Sequence, residues 1–401
     1  MEKIILYIFS YIYGSIPFGL ILVRVIKGVD IRKIGSGNIG ATNVSRVLGL
    51  KLGLVSGILD VSKGFIPVII GKYLGLSTTE LFFAGFLGVV GHDFSIFLSF
   101  KGGKGVASTL GFILALNPLV ILIEIVPFFV TFFITRIVSL SSILALIFLP
   151  ISFLIVGDRT LALLSLIPAA LGILRHRENI ERLIYGIEKK FGEKELVETE
   201  ILKEDSFGLN RAKDLLAEGK VGIIPTDTVY GLCTNALNRE GIKRIYRIKR
   251  RDIKKPLVLF VKDKGEIEKY GVVNDTARKL IDSFIPGPIT IVLKRREGAP
   301  KISLRDIDTI GIRIPDEEFV INLLKNLDFP LATTSANLSG EETPKDISSL
   351  KKTFSGIVDF IVDGGEKSGT PSTVVSIIGE DVKILREGRI KKEEILKIIN
   401  E

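Results

Sequence analysis

Three short runs in the first half of the chain combine glycine, small polar side chains and cations in the way an anion site requires. The first is Gly35-Ser36-Gly37-Asn38-Ile39-Gly40-Ala41-Thr42-Asn43, followed by Arg46. The second is Lys101-Gly102-Gly103-Lys104-Gly105, followed by Ser108 and Thr109, and the third is His176-Arg177-Glu178-Asn179 with Arg182 and Glu188. Glycine lets backbone N–H groups turn toward an oxyanion, hydroxyl and amide side chains add donors, and Lys or Arg neutralises charge. Such loops suit the binding and transfer of phosphorylated groups. Gly35, Gly37 and Gly40 formally match G-x-G-x-x-G, but a dinucleotide fingerprint needs a strand and a crossover helix of a soluble sheet, and the second run lacks P-loop spacing.

The second half carries four polar clusters at strand ends and turns: Thr226-Asp227-Thr228-Val229-Tyr230-Gly231, Lys249-Arg250-Arg251, Pro286-Gly287-Pro288, and Thr333-Thr334-Ser335-Ala336-Asn337-Leu338-Ser339-Gly340. Taken singly, each reads as a rigid turn, a helix cap or a solvated helix end. One cysteine, Cys233, and two histidines, His92 and His176, exclude a disulfide framework, a Cys-based zinc site and a site of several His ligands.

The elements that must position the first three runs are membrane helices. Of 54 Lys/Arg and 45 Asp/Glu, only 13 and 7 precede Arg175. That stretch is about 11% charged, against about 35% beyond it, so the mean hydropathy of +0.40 and the net charge of +9 average two solvents. Apolar runs predict seven spans, near 4–26, 52–71, 81–99, 105–117, 119–136, 139–156 and 160–174. The first is too long for a signal-peptide core and has no small-residue cleavage site after it. Lys/Arg bias puts Arg24, Lys27, Arg32, Lys33, Arg46, Lys101, Lys104, Arg136, Arg175, Arg177 and Arg182 on one side, against Lys72 and Arg159 opposite. That side is expected to be cytoplasmic, with the soluble part emerging there. Ile180, Leu183, Ile184 and Ile187 predict an amphipathic stripe at the interface.

A charged linker over 191–205, including Gly192-Glu193-Lys194-Glu195, is expected to lead into a domain over 206–401. Strands are expected at 221–225, 256–261, 290–294, 309–314, 331–334, 357–362 and 373–378, with helices at 207–218, 240–249, 275–283, 317–326 and 391–399. The whole reads as a polytopic α-helical membrane bundle followed by a soluble α/β domain with a mixed twisted sheet.

The three runs, with Gly14-Ser15-Ile16-Pro17-Phe18-Gly19 and Gly91-His92, resemble the PlsY family of acyl-phosphate:glycerol-3-phosphate acyltransferases over residues 1–190. The resemblance implies transfer of a fatty acyl group from acyl phosphate to the 1-hydroxyl of glycerol 3-phosphate, giving lysophosphatidic acid and phosphate. It implies that Lys101, Gly102, Gly103, Lys104 and Gly105 hold the glycerol phosphate, that Ser36, Asn38, Thr42, Asn43 and Arg46 serve the acyl phosphate, and that His176 and Asn179 orient the hydroxyl or the developing charge, with Glu188 closing the third motif. The His-x4-Asp pattern of other acyltransferases is absent, since Phe97 and Glu181 stand five residues after the two histidines. Direct attack without an acyl-enzyme follows, with the proton going to His176 or to a substrate phosphate oxygen.

The second-half clusters, with Gly311-Ile312-Arg313-Ile314-Pro315, Pro371-Ser372-Thr373-Val374 and Arg386-Glu387-Gly388, resemble the YrdC/TsaC family of threonylcarbamoyl-AMP synthases over residues 206–390. That resemblance implies joining threonine, bicarbonate or CO2, and ATP into threonylcarbamoyl-AMP and pyrophosphate for tRNA modification, with tRNA or tRNA-modification proteins as partners. Lys249, Arg251, Thr309, Ser335, Asn337 and Arg386 would face ATP, and Thr228 and Arg313 would face threonine. No tightly bound cofactor and no protein metal site are expected; Mg2+ would come with ATP. The sequence departs from the family at Lys249-Arg250-Arg251-Asp252, where Lys-Gly-Arg-Pro is usual, and at Phe260, where longer members often carry His; it also ends soon after Arg386, without the long form's extra domain. The competing reading is a transporter of phosphorylated metabolites that carries a non-catalytic RNA-binding module.

Overall fold

The computed structural model describes residues 1–193 and 197–400. It divides into two compact units, Met1–Ile184 with Glu188–Gly192, and Tyr185–Ile187 with Glu193–Glu401. Residues 194–196 of the expected linker lie outside the described residues.

The first unit contains ten α-helices among its described residues: α1 Glu2–Ser15, α2 Phe18–Lys27, α3 Ala41–Leu48, α4 Leu50–Tyr73, α5 Thr78–Asp93, α6 Val106–Leu116, α7 Pro118–Thr135, α8 Val138–Ile155, α9 Arg159–Arg175 and α10 Arg177–Ile184. The expected first span is interrupted at Ile16-Pro17, where Ile16 is extended and Pro17 has no N–H to continue the helical ladder. Five stretches are long and apolar enough to cross a bilayer: Glu2–Lys27, Leu50–Tyr73, Thr78–Leu98, Pro118–Thr135 and Val138–Ile155. The runs expected at 105–117 and 160–174 are helices of 11 and 17 residues. At 1.5 Å per residue they reach roughly 16 and 25 Å, short of a core about 30 Å thick.

Large side chains such as Leu122, Phe133, Ile134 and Leu163 face outward, as lipid allows. Inside, helices meet at glycines: a Cβ on Gly64 of α4 would lie 2.1 Å from the Ser108 carbonyl oxygen of α6. One on Gly88 of α5 would lie 2.1 Å from the Lys63 carbonyl oxygen of α4. Backbones approach this closely only where small residues permit, the packing on which helices in lipid rely. Helix α10 stops at Ile184, so Ile187 does not extend the predicted apolar stripe. Gly186, at φ +67°, reverses the chain there and returns Glu188 toward α10.

The second unit contains β1 Glu200–Lys203, α11 Ser206–Ala217, β2 Gly222–Ile224, β3 Gly231–Asn235, α12 Arg239–Lys249, β4 Val258–Phe260, α13 Lys264–Tyr270, β5 Gly271–Val272, α14 Asp275–Phe284, β6 Ile289–Arg295, β7 Thr309–Arg313, α15 Glu318–Lys325, β8 Leu331–Ser335, α16 Ile347–Phe354, β9 Phe360–Asp363, β10 Thr373–Ile378, β11 Asp381–Arg386 and α17 Lys392–Asn400. The mixed sheet runs β1-β9-β2-β3-β8-β4-β7-β6-β10-β11, with β5 on β6. Strand β1 lies inside the expected linker and pairs in parallel with β9. One apolar cluster includes Leu232, Leu259, Ile312 and Ala332 with Ile245 and Ile248 of α12. The alternate residues Cys233, Phe260 and Leu331 pack with Leu215 of α11 and Leu323 of α15, so the strands are covered on both faces. Cys233 is fully buried there.

Candidate active sites

In the first unit, the Gly35–Asn43 loop is stitched by one side chain. Asn43 Oδ1 accepts from the Ser36 N–H at 2.9 Å, and its Nδ2 donates to the carbonyls of Ile34 and Asn38, both at 2.9 Å, and of Ile31 at 3.3 Å. A Cβ on Gly35 would fall 1.8 Å from Asn43 Oδ1, at a φ of +65°, so glycine is required twice over. Asn38 Oδ1 accepts from the Gly40 N–H at 2.9 Å. Asn43, expected at the substrate, is instead buried and committed to the loop, its amide bonded to one backbone N–H and three backbone carbonyls. Ser36 and Arg46 are exposed, and Thr42 half-buried.

The second run is entered through two consecutive non-glycine residues in the left-handed region, Ser99 at φ +51° and Phe100 at φ +61°. Such conformations persist only where the surroundings hold them. Here the Phe100 N–H donates to the Ser95 carbonyl at 2.9 Å, and the Gly102 and Gly103 N–H groups donate to the carbonyls of Asp93 and His92 at 3.1 and 2.9 Å. From α9, Arg175 donates to the Gly102 and Gly103 carbonyls at 2.8 to 3.0 Å.

Lys104 donates to Asn179 Oδ1, and Asn179 Nδ2 donates to Glu188 Oε1 at 2.6 Å. Ser139 Oγ also donates to Glu188 Oε1, at 2.8 Å, and Arg182 Nε donates to Oε2 at 2.6 Å. Burial works to raise the Glu188 carboxyl, but Arg182 together with the Ser139 and Asn179 hydrogen bonds holds it below the usual carboxylate range. Arg46 lies within electrostatic reach of Glu188 and Arg182, which ties the first run to the third. Burial, helped by Arg182, brings Lys104 down to about 8.

His176 Nδ1 lies 2.7 Å from the Gly172 carbonyl, which can only accept, so Nδ1 carries the hydrogen and the lone pair is on Nε2. Burial lowers its pKa to about 4 and keeps the ring neutral near pH 7. Lys101 is exposed at the rim, while Gly105, at φ +70°, starts α6.

In the second unit, Lys249 at the end of α12 is 1% exposed. Its ammonium donates to the carbonyls of Ser335 and of Asn337, the latter at 2.7 Å, and to Asn337 Oδ1 at 2.9 Å. Ser335 Oγ donates to Asn337 Oδ1 at 2.6 Å. Burial, then the Arg251 charge, lowers Lys249 to about 7. Arg251 donates to the carbonyls of Lys255 and Pro256 at 3.0 and 2.7 Å, and Arg386 donates to the Ser372 carbonyl at 2.8 and 3.1 Å.

Arg313 is nearly buried. It donates to the Gly287 carbonyl at 3.1 Å, to Thr228 Oγ1 at 3.1 Å and to Asp227 Oδ1, while Asp227 Oδ2 is buried without a partner. Arg386 is in electrostatic reach of both Arg251 and Arg313. Strand register puts Thr309, Gly311 and Arg313 on the face of β7 that matches Val258 of β4 and Thr333 of β8. Thr309 is thus on the Ser335 face, at the opposite end of β7 from Arg313, roughly 13 Å away along the strand. Among the described residues no group of three or more His, Cys, Asp or Glu could hold a metal ion.

The family described as glycerol-3-phosphate acyltransferase matches residues 4–186, and the family described as telomere recombination, that of Sua5, YciO and YrdC, matches 214–388. A glycerol-3-phosphate acyltransferase of Fusobacterium nucleatum is 46% identical over 185 residues, 46% of this chain and 95% of that protein. A Methanocaldococcus jannaschii protein, provisionally named threonylcarbamoyl-AMP synthase, is 44% identical over 186 residues, 46% of this chain and 87% of that one. The chain belongs to both families. A crystal structure of PlsY, an integral membrane glycerol 3-phosphate acyltransferase, is 43% identical, covers 48% of this chain and 96% of its own, and gives a TM-score of 0.46.

Several partners in the acyltransferase-family unit were not singled out from the sequence. Ser139 carries no motif around it, and Arg175 reads there only as a topological charge. In the synthase-family unit Ser372 and Asp227 stand within the matching runs, and only their pairing with Arg386 and Arg313 was missing.

Proposed function

We propose that the first unit transfers an acyl group from acyl phosphate to the 1-hydroxyl of glycerol 3-phosphate. The carrying observation is the line from Lys104 through Asn179 to Glu188, with Arg46 and Arg182 in reach, which brings all three glycine-rich or basic runs to one place. The Lys104 ammonium, with the N–H groups of Lys104 and Gly105, would take the glycerol phosphate, while the Gly102 and Gly103 N–H groups hold the loop to Asp93 and His92. Ser36, Thr42 and Arg46 would take the acyl phosphate. The hydroxyl oxygen attacks the acyl carbon, the bond from carbon to the bridging phosphate oxygen breaks, and phosphate leaves with its electron pair. His176 Nε2 would accept a hydrogen bond from the hydroxyl and orient it. A base with a pKa of about 4 holds a proton poorly near pH 7, so the proton ends on a phosphate oxygen.

The second unit would condense threonine, bicarbonate or CO2, and ATP. The threonine amine is carboxylated, and the carbamate oxygen then attacks the α-phosphate and expels pyrophosphate. Lys249, Arg251 and Arg386 would hold the triphosphate with Ser335 and Asn337, and Arg313 with Thr228 the threonine carboxylate. Magnesium fits as a partner of the nucleotide: the cations of this cluster are held mainly by carbonyls, and Asp227 is engaged by Arg313. tRNA or tRNA-modification proteins would receive the product. The proposed boundaries are 1–190, 191–205 and 206–401, with seven passes when the shorter apolar helices α6 and α9 are counted with the five long stretches, and with the second unit in the cytoplasm by the Lys/Arg asymmetry.

The test is made on the intact chain, in lipid nanodiscs for the two activities and in closed vesicles for transport. Lysophosphatidic acid and phosphate should appear in equal amounts from acyl phosphate and glycerol 3-phosphate; glycerol phosphate crossing vesicles without being esterified would favour a transporter. Pyrophosphate release from ATP should require threonine and bicarbonate. RNA binding without that release would favour a non-catalytic module.

A further inference from the structure

Against the Lys101–Gly105 loop lies a charged group that the reaction above does not use. Asp60 and Lys63 sit one turn apart on α4, and His92 near the end of α5; they are 2%, 1% and 5% exposed. Lys63 Nζ lies 2.8 Å from Asp60 Oδ1 and 3.0 Å from His92 Nδ1, and Asp60 Oδ1 lies 3.4 Å from that same nitrogen. An ammonium has no lone pair, so it donates to Nδ1 and leaves the ring hydrogen on Nε2. The ammonium is also 5.2 Å from the Phe18 ring centroid.

The opposite edge of the imidazole meets the loop. A Cβ on Gly103 would lie 2.0 Å from His92 Nε2, and one on Gly102 would lie 2.0 Å from the His92 carbonyl oxygen, so both glycines rest flush against this residue. The Gly103 N–H donates to that carbonyl at 2.9 Å. Arg175 grips the carbonyls of the same two glycines, so the peptide that leads into Lys104 is held by His92 and by Arg175. An ion pair this deep in a lipid-embedded bundle is costly, and apolar residues of similar volume would pack the space as well.

We infer that Asp60, Lys63 and His92 are positioning residues for acyl transfer: the ion pair fixes the His92 ring, and the ring sets where Gly103 and hence Lys104 stand. The inference rests on the reading that this loop binds glycerol 3-phosphate. Its logic is that of a residue fixed from behind, here by an ammonium that a carboxylate holds in place, so that its far edge is correctly presented.

The test uses the full chain in nanodiscs with two readouts. Asp60→Asn should raise the KM for glycerol 3-phosphate about tenfold while the KM for acyl phosphate stays within about twofold. Asp60→Asn combined with Lys63→Met should be no less impaired than Asp60→Asn alone, although it leaves no charge buried and unpaired, because nothing then holds His92 Nδ1; rescue by the second change would overturn the inference. Independently of activity, hydrogen exchange at the Gly102 and Gly103 amides should speed up in Asp60→Asn about tenfold, with the amides of residues 81–91 still protected. Unchanged exchange at those glycines overturns the inference, as does loss of protection throughout α5, which would make the group a general prop of the bundle. A wild-type chain without acyl transfer would sink the functional reading, and the exchange result would still decide whether the group positions the loop.

Discussion

In the membrane unit one carboxylate organises the cations: Glu188 takes Asn179, Ser139 and Arg182, and Asn179 in turn holds Lys104. In the soluble unit the corresponding holders are mostly backbone carbonyls: Ser335 and Asn337 for Lys249, Lys255 and Pro256 for Arg251, Ser372 for Arg386, and Gly287 beside Asp227 for Arg313. A carbonyl orients a cation and leaves its charge available to a polyphosphate, whereas a carboxylate cancels part of it. The difference suits the ligands proposed: a triphosphate for the carbonyl-held set, and two smaller phosphate groups for the set that Glu188 tempers. It also means that in the membrane site Lys104 and Arg182 both depend on one side chain, whereas the soluble site shares its cations among many holders.

The sharpest test is Glu188→Gln, which keeps shape and removes charge. Acyl transfer should fall about 100-fold in kcat/KM, or about 3 kcal/mol, while threonine-dependent pyrophosphate release by the same molecules stays unchanged. A loss below about fivefold would break the contrast. The matching change in the soluble unit is Asn337→Ala, which removes one of three acceptors from Lys249 and leaves two carbonyls. It should raise the KM for ATP only five- to tenfold, or about 1 kcal/mol; an effect as large as that of Glu188→Gln would overturn the idea of distributed holding.

The pH dependence sharpens the comparison further. Lys249 is depressed to about 7 and Lys104 to about 8, and both lose a phosphate-binding charge as pH rises through those values. Between pH 7 and 8 the KM for ATP should rise about fivefold and that for glycerol 3-phosphate about twofold. In Lys249→Met the first rise should vanish. The smallest effect is expected for Lys101→Ala, an exposed cation at the rim, which should weaken glycerol 3-phosphate by about twofold, with less effect as salt is added.

The sequence was most readable where one solvent or one period dominates. Each apolar run of the first unit becomes helical, the first as two helices broken at Ile16-Pro17, and each of the seven expected strands of the second appears within a few residues. What escaped was decided by neighbours distant in sequence. Strand β1 reads as Glu200-Ile201-Leu202-Lys203, charged at both ends, and is a strand because β9 offers it a parallel edge. Asn43 has the composition of a ligand but is consumed in closing its own loop, and Ile187 drops off its stripe because Gly186 turns the chain. For the sites, the motifs named most of the cations but not what holds them: Ser139, Arg175 and Asp60 gain meaning only when α4, α5, α8 and α9 are brought together.

Burial of the only thiol has a practical consequence. Cys233 lies inside the core of the soluble unit, and burial pushes its pKa upward, so the reactive thiolate is scarce while that unit stays folded. The chain is therefore a silent background for maleimide chemistry. A cysteine introduced near Lys72 and another near Arg182 could each be labelled with a reagent that does not cross bilayers, and which of the two reacts from outside the cell would report how the protein is threaded through its membrane. Labelling of Cys233 itself would signal unfolding of the soluble unit.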